Sequence, residues 1–351
     1  MCEENKIVTF IVPAYNSEGF LTKCLSSFVS SGGADKRIEV IIVNDGSKDK
    51  TKDIAEGFVR RYPNIFKLIN KKNGGHGSAI NIAVPVASGK YVKVVDSDDW
   101  IVTDNLESYV SQLSTSSADV VITHFHTINV RSGRGTAIKS SGIRYGRNYS
   151  LEELMDAGKG ALSCCMFHGI TYKTDFYRAC GITLSEGISY EDQEYCTLPF
   201  MKAKTIMFFD LFLYEYLIGN VSQSMSDSNQ VARAPQLEQV YWKISDAYLK
   251  HENMRGASKR YFLYKMAETL QNYCVTMLIR NKDRKHGRAE AQRVKMKSVQ
   301  IVPEILKLVE PRYRILLSMH FLHISPRHLE WLKNSPLYIW LRKTIRRKDL
   351  C

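Results

Sequence analysis

Short apolar runs alternate with helical patterns through the first hundred residues, and each run stops on a polar cluster. Residues 7–12 form the first run, and behind it Phe20, Leu21, Cys24, Leu25 and Phe28 recur on one helical face. Residues 38–43 form a second run that meets the turn Asn44-Asp45-Gly46-Ser47, followed by a helix carrying Ile54, Ala55 and Phe58. Residues 65–69 read as a third strand and 77–87 as a helix. Residues 91–95 are a fourth strand, ending on Asp96-Ser97-Asp98-Asp99. Strand–helix alternation of this kind predicts an α/β fold with a doubly wound, mostly parallel sheet. Ligands of such sheets sit at the carboxyl ends of the strands, where these polar clusters fall.

From about Asp119 the pattern becomes mixed. Strands are expected at 120–125, 169–172, 205–209 and 211–218, and helices at 151–157 and 191–202. After a polar loop at 219–229 the chain reads as helices to the end. The expected division is a catalytic domain over 1–228 and a basic α-helical region over 229–351.

Charge supports that division. Residues 250–351 carry 23 Lys and Arg against 8 Asp and Glu, a net of +15; the whole chain is +13, so residues 1–249 are nearly neutral at −2. A split of this size suggests two jobs on one chain. No run of apolar residues is long enough to span a bilayer, since the best stretch, 206–218, is interrupted by Asp210 and Glu215. The start of the sequence lacks a basic, cleavable leader pattern, and the eight cysteines form no CxxC pair. A cytoplasmic chain with reduced thiols is expected, and a zinc ribbon is not.

Three carboxylates in four residues, Asp96, Asp98 and Asp99, repel one another at a strand end. Alternate carboxylates can converge on one hard divalent ion, which readily adds diphosphate oxygens. An acidic turn capping the next helix would use the same residues. Pro13, Ala14 and Tyr15 put a rigid proline and an aromatic face where a base would stack, and Asp45 offers an acceptor to a pyrimidine N–H; each is also an ordinary turn. Asn73-Gly74-Gly75-His76-Gly77-Ser78 leads into a helix, where backbone N–H groups suit a phosphate. It is not a dinucleotide fingerprint, because Ile80 stands where the third glycine belongs.

Taken in order, VPAYN, NDGSKDKT, NGGHGSAIN and VVDSDDW resemble the inverting family-two glycosyltransferases of the GT-A fold, of the kind that build bacterial polysaccharides. The resemblance covers about residues 5–225 and continues to Glu191-Asp192-Gln193, which matches the family's ED motif. It implies transfer of a sugar, hexosyl or N-acetylhexosaminyl, from a nucleotide-sugar (a UDP-sugar in the first instance) to a hydroxyl of a saccharide or lipid-linked acceptor. By the same resemblance Pro13, Ala14, Tyr15, Asp45, Asn73, Gly75, His76, Asp96 and Ser97 bind the donor. Asp98 and Asp96 hold Mn2+ or Mg2+, and Asp192 is the general base. Many members carry an arginine after the glycine loop, where this chain has Ser78-Ala79-Ile80-Asn81. His76, Lys71 or Lys72 would then have to act in its place. Tyr216 and Gln223-Ser224 fall where members carry a loop that closes over the diphosphate; a surface loop is an equal reading. His168 is read as bordering the acceptor site or as a buried structural histidine.

No resemblance covers residues 230–351. Leu337, Tyr338, Trp340, Leu341 and Ile345 share one helical face opposite Arg342, Lys343, Arg346 and Arg347, which suits an anionic bilayer surface on the inner face of the cell membrane. A helix packed on the catalytic domain, or self-association into a homo-oligomer, uses the same pattern. Nucleic acid is not expected as a partner, because no recognition motif accompanies the charge. A non-catalytic nucleotide-sugar-binding or membrane-surface scaffold on the same fold is the alternative, and the intact Asp96, Asp98 and Asp192 weigh against it.

Overall fold

The computed structural model describes residues 6–30, 33–130, 132–219, 227–251 and 254–324. In chain order the first strands are β1 (Val8–Ala14), β2 (Val29–Ser30), β3 (Gly33–Ala34), β4 (Ile38–Asp45), β5 (Phe66–Lys71) and β6 (Tyr91–Val94). They are followed by β7 (Trp100–Ile101), β8 (Val120–Asn129), β9 (Gly135–Ile138), β10 (Asn148–Tyr149), β11 (Ile170–Lys173) and β12 (Ile206–Ile218). The main sheet has the order β10-β12-β8-β11-β6-β1-β4-β5, with β7 added to β12 and β9 to β8.

β1 is parallel to both β4 and β6, and β4 is parallel to β5. The chain leaves β1 on one side for β4 and β5 and returns on the other for β6, so the strand order reverses beside β1, where doubly wound sheets open a crevice. β1 and β4 are buried along their whole lengths, as strands covered on both faces must be, which is why they read as largely apolar runs despite Thr9 in β1 and Glu39 in β4. β5 is the edge, and it exposes Lys67 and Asn70, which discourages strand addition. The expected α/β, GT-A type architecture with helices following it is present.

Beyond β6 the sheet is mixed. β11 is antiparallel to β6 and β8, whereas β12 is parallel to β8. The two strands expected at 205–209 and 211–218 are one continuous β12, whose register against β8 shifts between Phe208 and Phe212 and again between Phe212 and Tyr214. Exposed Asp210 marks an irregularity in a strand, not a turn between two. The helix expected at 77–87 runs only over His76–Ala83 and tightens into a 3-10 turn at Val84–Val86, because Pro85 has no N–H with which to continue it. The helix Leu151–Asp156 opens on a reciprocal cap: Glu153 N donates to Ser150 Oγ at 3.2 Å, and Ser150 N donates to Glu153 Oε2 at 2.8 Å.

The chain divides into two compact units, Met1–Gln223 with Trp242–Phe262 and Ser224–Tyr241 with Leu263–Cys351. The sheet lies in the first. In the second, a π turn at Thr276–Arg280 precedes the helices Arg284–Ile301 and Ile305–Phe321. Part of its basic charge is answered internally, Arg293 lying between Glu238 and Glu290 and Lys295 pairing with Glu310. No described helix is long and apolar enough to cross a membrane. The amphipathic pattern at 337–347 and the pair Gln223-Ser224 lie outside the described residues.

Candidate active site

The loops that leave the carboxyl ends of β1, β4, β5 and β6 are laced to one another. β1 pairs with β6 only as far as Ile11 and Val94 but with β4 as far as Ala14 and Asn44. Pro13 and Ala14 therefore lie buried in the stretch of β1 beyond its ladder to β6, and Tyr15, 49% exposed, stands at the mouth. Asn16 N donates to Ser47 Oγ at 3.0 Å and Lys48 N donates to Asn16 Oδ1 at 2.8 Å, tying the β1 loop to the β4 loop. Ser17 Oγ lies 2.7 Å from Ser97 Oγ, tying it to the acidic turn after β6.

Asp45 organises the glycine loop. Its Oδ1 accepts from Lys71 Nζ at 2.7 Å and from Gly74 N at 2.9 Å, its Oδ2 accepts from Gly75 N at 2.7 Å, and its carbonyl accepts from Asn73 Nδ2 at 2.9 Å. Gly46 makes this approach possible, with φ +74° and room for Asn73 N only 2.8 Å from where a Cβ would stand. Lys71 also donates to Ser78 Oγ at 2.6 Å, so both Asp45 and Lys71 are engaged by the loop itself.

His76 joins two motifs that are far apart in sequence. Its Nδ1 lies 2.6 Å from Glu191 Oε1 and its Nε2 2.9 Å from Asp96 Oδ1. Burial alone would lower its pKa, but the hydrogen bonds and charges of Asp96 and Glu191 raise it well above the ordinary value, as expected of an imidazolium held between carboxylates. The residue before Glu191, Tyr190, has φ 74°, a left-handed conformation that a bulky side chain adopts only under constraint from its surroundings. Asp192 follows, half-buried. Desolvation and then the charge of Glu191 push its carboxyl up to about 6, and the charge of Asp96 acts in the same direction.

Asp96, Asp99 and His168 bring their ligating atoms within 4.8 Å of one another. His168 Nδ1 is buried and has no hydrogen-bond partner among the described residues, and burial lowers its pKa to about 4, so it is a neutral imidazole with a lone pair to give. Burial, then the charges of Asp96 and Asp98, raise the Asp99 carboxyl well above its ordinary value. Buried Asp99 and half-buried Asp96, in mutual repulsion beside the lone pair of a neutral imidazole, make a donor set that a divalent cation fits. Asp98, half-buried on the same turn, is not one of the three but bears on them through its charge.

Sequence reasoning missed most of what holds this group. Tyr214 donates to Asp99 Oδ2 at 2.6 Å and accepts from Asp96 N at 3.1 Å, while Leu217 N donates to Asp99 Oδ1 at 2.7 Å. Tyr216 stacks on His168 with ring centroids 3.9 Å apart. Fully buried Lys93, brought down to about 7 by desolvation, donates to the His168 carbonyl at 2.7 Å. The sheet explains the meeting. Because β11 runs against β6, the residue that precedes β11 arrives beside those that follow β6.

Residues 9–181 match the family model described as glycosyl transferase family 2. Residues 9–181 of this chain belong to that family. The matched stretch holds the first four motifs and His168, and Glu191-Asp192 lies just beyond it. Glycosyltransferase GlyA of Streptococcus pneumoniae is 36% identical over 126 residues, which are 36% of this chain and 18% of that protein. A poly(ribitol-phosphate) beta-glucosyltransferase of Bacillus spizizenii is 26% identical over 256 residues, which are 72% of this chain and 38% of that protein. The chain thus spans less than half the length of either relative. The crystal structure of S. aureus TarS 1-349 in complex with UDP-GlcNAc has a TM-score of 0.65 at 20% identity, covering 90% of this chain and 91% of that one, a likeness of fold.

Proposed function

We propose that this family-two glycosyltransferase moves a sugar from a UDP-sugar to a hydroxyl of a cell-surface polymer, or of its lipid-linked precursor, with inversion at the anomeric carbon. The observation that carries the reading is the meeting of a basic carboxylate, Asp192, with the Asp96, Asp99 and His168 group at the carboxyl ends of the strands. UDP is favoured by the UDP-GlcNAc held by TarS, and a polymer acceptor by the poly(ribitol-phosphate) relative.

In this mechanism Asp192, with a pKa near the working pH, takes the acceptor hydroxyl proton as its oxygen attacks the anomeric carbon. The bond from that carbon to the diphosphate oxygen breaks on the opposite face. His76 keeps Asp96 and Glu191 in register while this happens. Asp96, Asp99 and His168 would hold the metal, with Asp98 joining from the same turn; an imidazole in the set suits Mn2+ better than Mg2+, which prefers oxygen alone. When bound, the ion supplies positive charge for the departing diphosphate. Tyr15 is assigned to the base, Asp45 and Asn73 to shaping the uridine side, and Gly75, His76 and Ser97 to the diphosphate and sugar.

We assign transfer to residues 1–228, and to the basic helical region 229–351 the handling of an anionic acceptor or membrane surface. The test is UDP binding by calorimetry with and without Mn2+, in the wild type and in Asp98→Ala, beside a donor screen across UDP-, GDP- and dTDP-sugars. Turnover confined to UDP-sugars and a Mn2+-dependent affinity that Asp98→Ala lowers by about tenfold or more are expected. Metal-independent UDP binding untouched by the substitution would count against the site.

A further inference from the structure

Two residues after Asp192, roughly 200° round the same helix, Glu194 points away from the chemistry and is fully buried. Its Oε2 accepts from Ser185 N at 2.9 Å and from Lys243 Nζ at 2.7 Å, and its Oε1 accepts from Ser185 Oγ at 2.6 Å. Lys243 donates again to Thr183 O at 2.8 Å and to Ser185 Oγ at 3.1 Å. A buried carboxylate answered by one lysine and by charge-assisted hydrogen bonds fixes the backbone it binds.

That backbone is the wall behind the glycine loop. Leu184 N donates to Asn81 Oδ1 at 2.9 Å, and Asn81 Nδ2 donates to Leu184 O at 2.9 Å. Gly187 N donates to Gly74 O at 2.6 Å, and Gly75 lies so close to Gly187 that a Cβ on it would stand 3.0 Å from Gly187 N. One short segment, 183–187, therefore touches the donor loop on one side and is gripped by the helix of Asp192 on the other. Lys243 comes from far beyond the stretch that matches the family model.

We propose that Glu194 and Lys243 are positioning residues for the transfer. Their pair clamps residues 183–187 against the glycine loop, so that Asp192 and the donor keep one register. The inference rests on the assignment of Asp192 and the glycine loop given above. Neither partner touches a reacting atom; they act through Ser185 and Gly187.

The experiment compares the full chain with Lys243→Met, Lys243→Arg and the double variant Lys243→Met with Glu194→Gln. Amide exchange followed by mass spectrometry across residues 74–77 and 183–187 reads the positioning without turnover. UDP-sugar kinetics with Mn2+ read its effect. In Lys243→Met, exchange in both segments should quicken by about tenfold or more while β1 and β4 stay protected. Displacement of a base by a fraction of a bond length should lower kcat by about a hundredfold, with KM for the donor rising much less. Lys243→Arg should restore most of kcat. The double variant, which removes the unpaired buried charge, should regain thermal stability but not kcat; recovery of both would reduce the pair to a structural role and overturn the proposal. So would unchanged exchange or unchanged kcat in a folded Lys243→Met. If Lys243→Met fails to fold, the double variant carries the same test. A wild type inert with every donor would remove the assignment of Asp192, and the exchange measurement would still decide the clamp.

Discussion

Replacing Asp192 by asparagine separates what the carboxylate does for turnover from what it costs the fold. Desolvation and the neighbouring Glu191 charge hold its carboxyl at about 6 against an ordinary 3.8. A rise of about two pKa units corresponds to about 3 kcal/mol against the ionised form, and partial solvent screening of this half-buried group reduces that to about 1–3 kcal/mol. The sign follows from linkage. Below the unfolded pKa the group is protonated in both states and the penalty is absent; it grows as pH rises toward the folded pKa and is complete above about 6. Asp192→Asn should therefore be the more stable protein by about 1–3 kcal/mol near pH 7.5, and by almost nothing near pH 4. Urea unfolding at the two pH values measures this, with the slope of the transition as a check that the unfolded state is unchanged. The same variant should bind UDP with Mn2+ as the wild type does and lose about 10²–10⁴-fold in kcat. An equal gain at both pH values, or none at pH 7.5, would refute the electrostatic reasoning. Unchanged transfer would remove Asp192 from the chemistry.

Three further outcomes follow from the same geometry. With wild-type protein, kcat should climb about tenfold per pH unit below about 6 and level off above it, because only ionised Asp192 accepts a proton; a profile flat from pH 5 to 7 would exclude it as base. His168→Ala should weaken the Mn2+ dependence of UDP binding by about tenfold or more while leaving metal-free UDP binding alone, as read by a Mn2+ titration. Gly46→Ala forces a Cβ toward Asn73 N at a positive φ and should cost about 1–3 kcal/mol in urea unfolding together with UDP affinity; an unaffected midpoint would mean that the loop yields freely.

The first half of the fold was legible because parallel strands buried on both faces leave largely apolar runs, and β1, β4 and β6 are such runs even with Thr9, Glu39 and Lys93 buried within them. β7, β9 and β10, of two to four residues, are too short for any periodicity to register. The break at Asp210 read as a turn because composition cannot distinguish an irregular strand from two strands. At the site, the acidic turn and the glycine loop announced themselves by residue type and order. His168 did not, since its neighbours there are supplied by the antiparallel entry of β11, a property of topology and not of local sequence. Asp45 was readable as a polar turn residue, but its grip on Gly74 and Gly75 depends on an approach that Gly46 alone permits. Glu194 and Lys243 carried no motif at all, and only the fold joins them.

The way Asp99 is held has a consequence for the order in which the molecule assembles. Its carboxylate waits for Tyr214 and Leu217, which leave the ribosome more than a hundred residues later. A nascent chain ending near residue 181 would already contain the acidic turn, the glycine loop and His168, yet its crowded acids would lack the last strand that orders them. Closure of so distant a contact comes late in folding, when its loop entropy is repaid by the rest of the sheet. The hydrogen bonds that order Asp99 are thus a property of the finished sheet, made only when β12 docks.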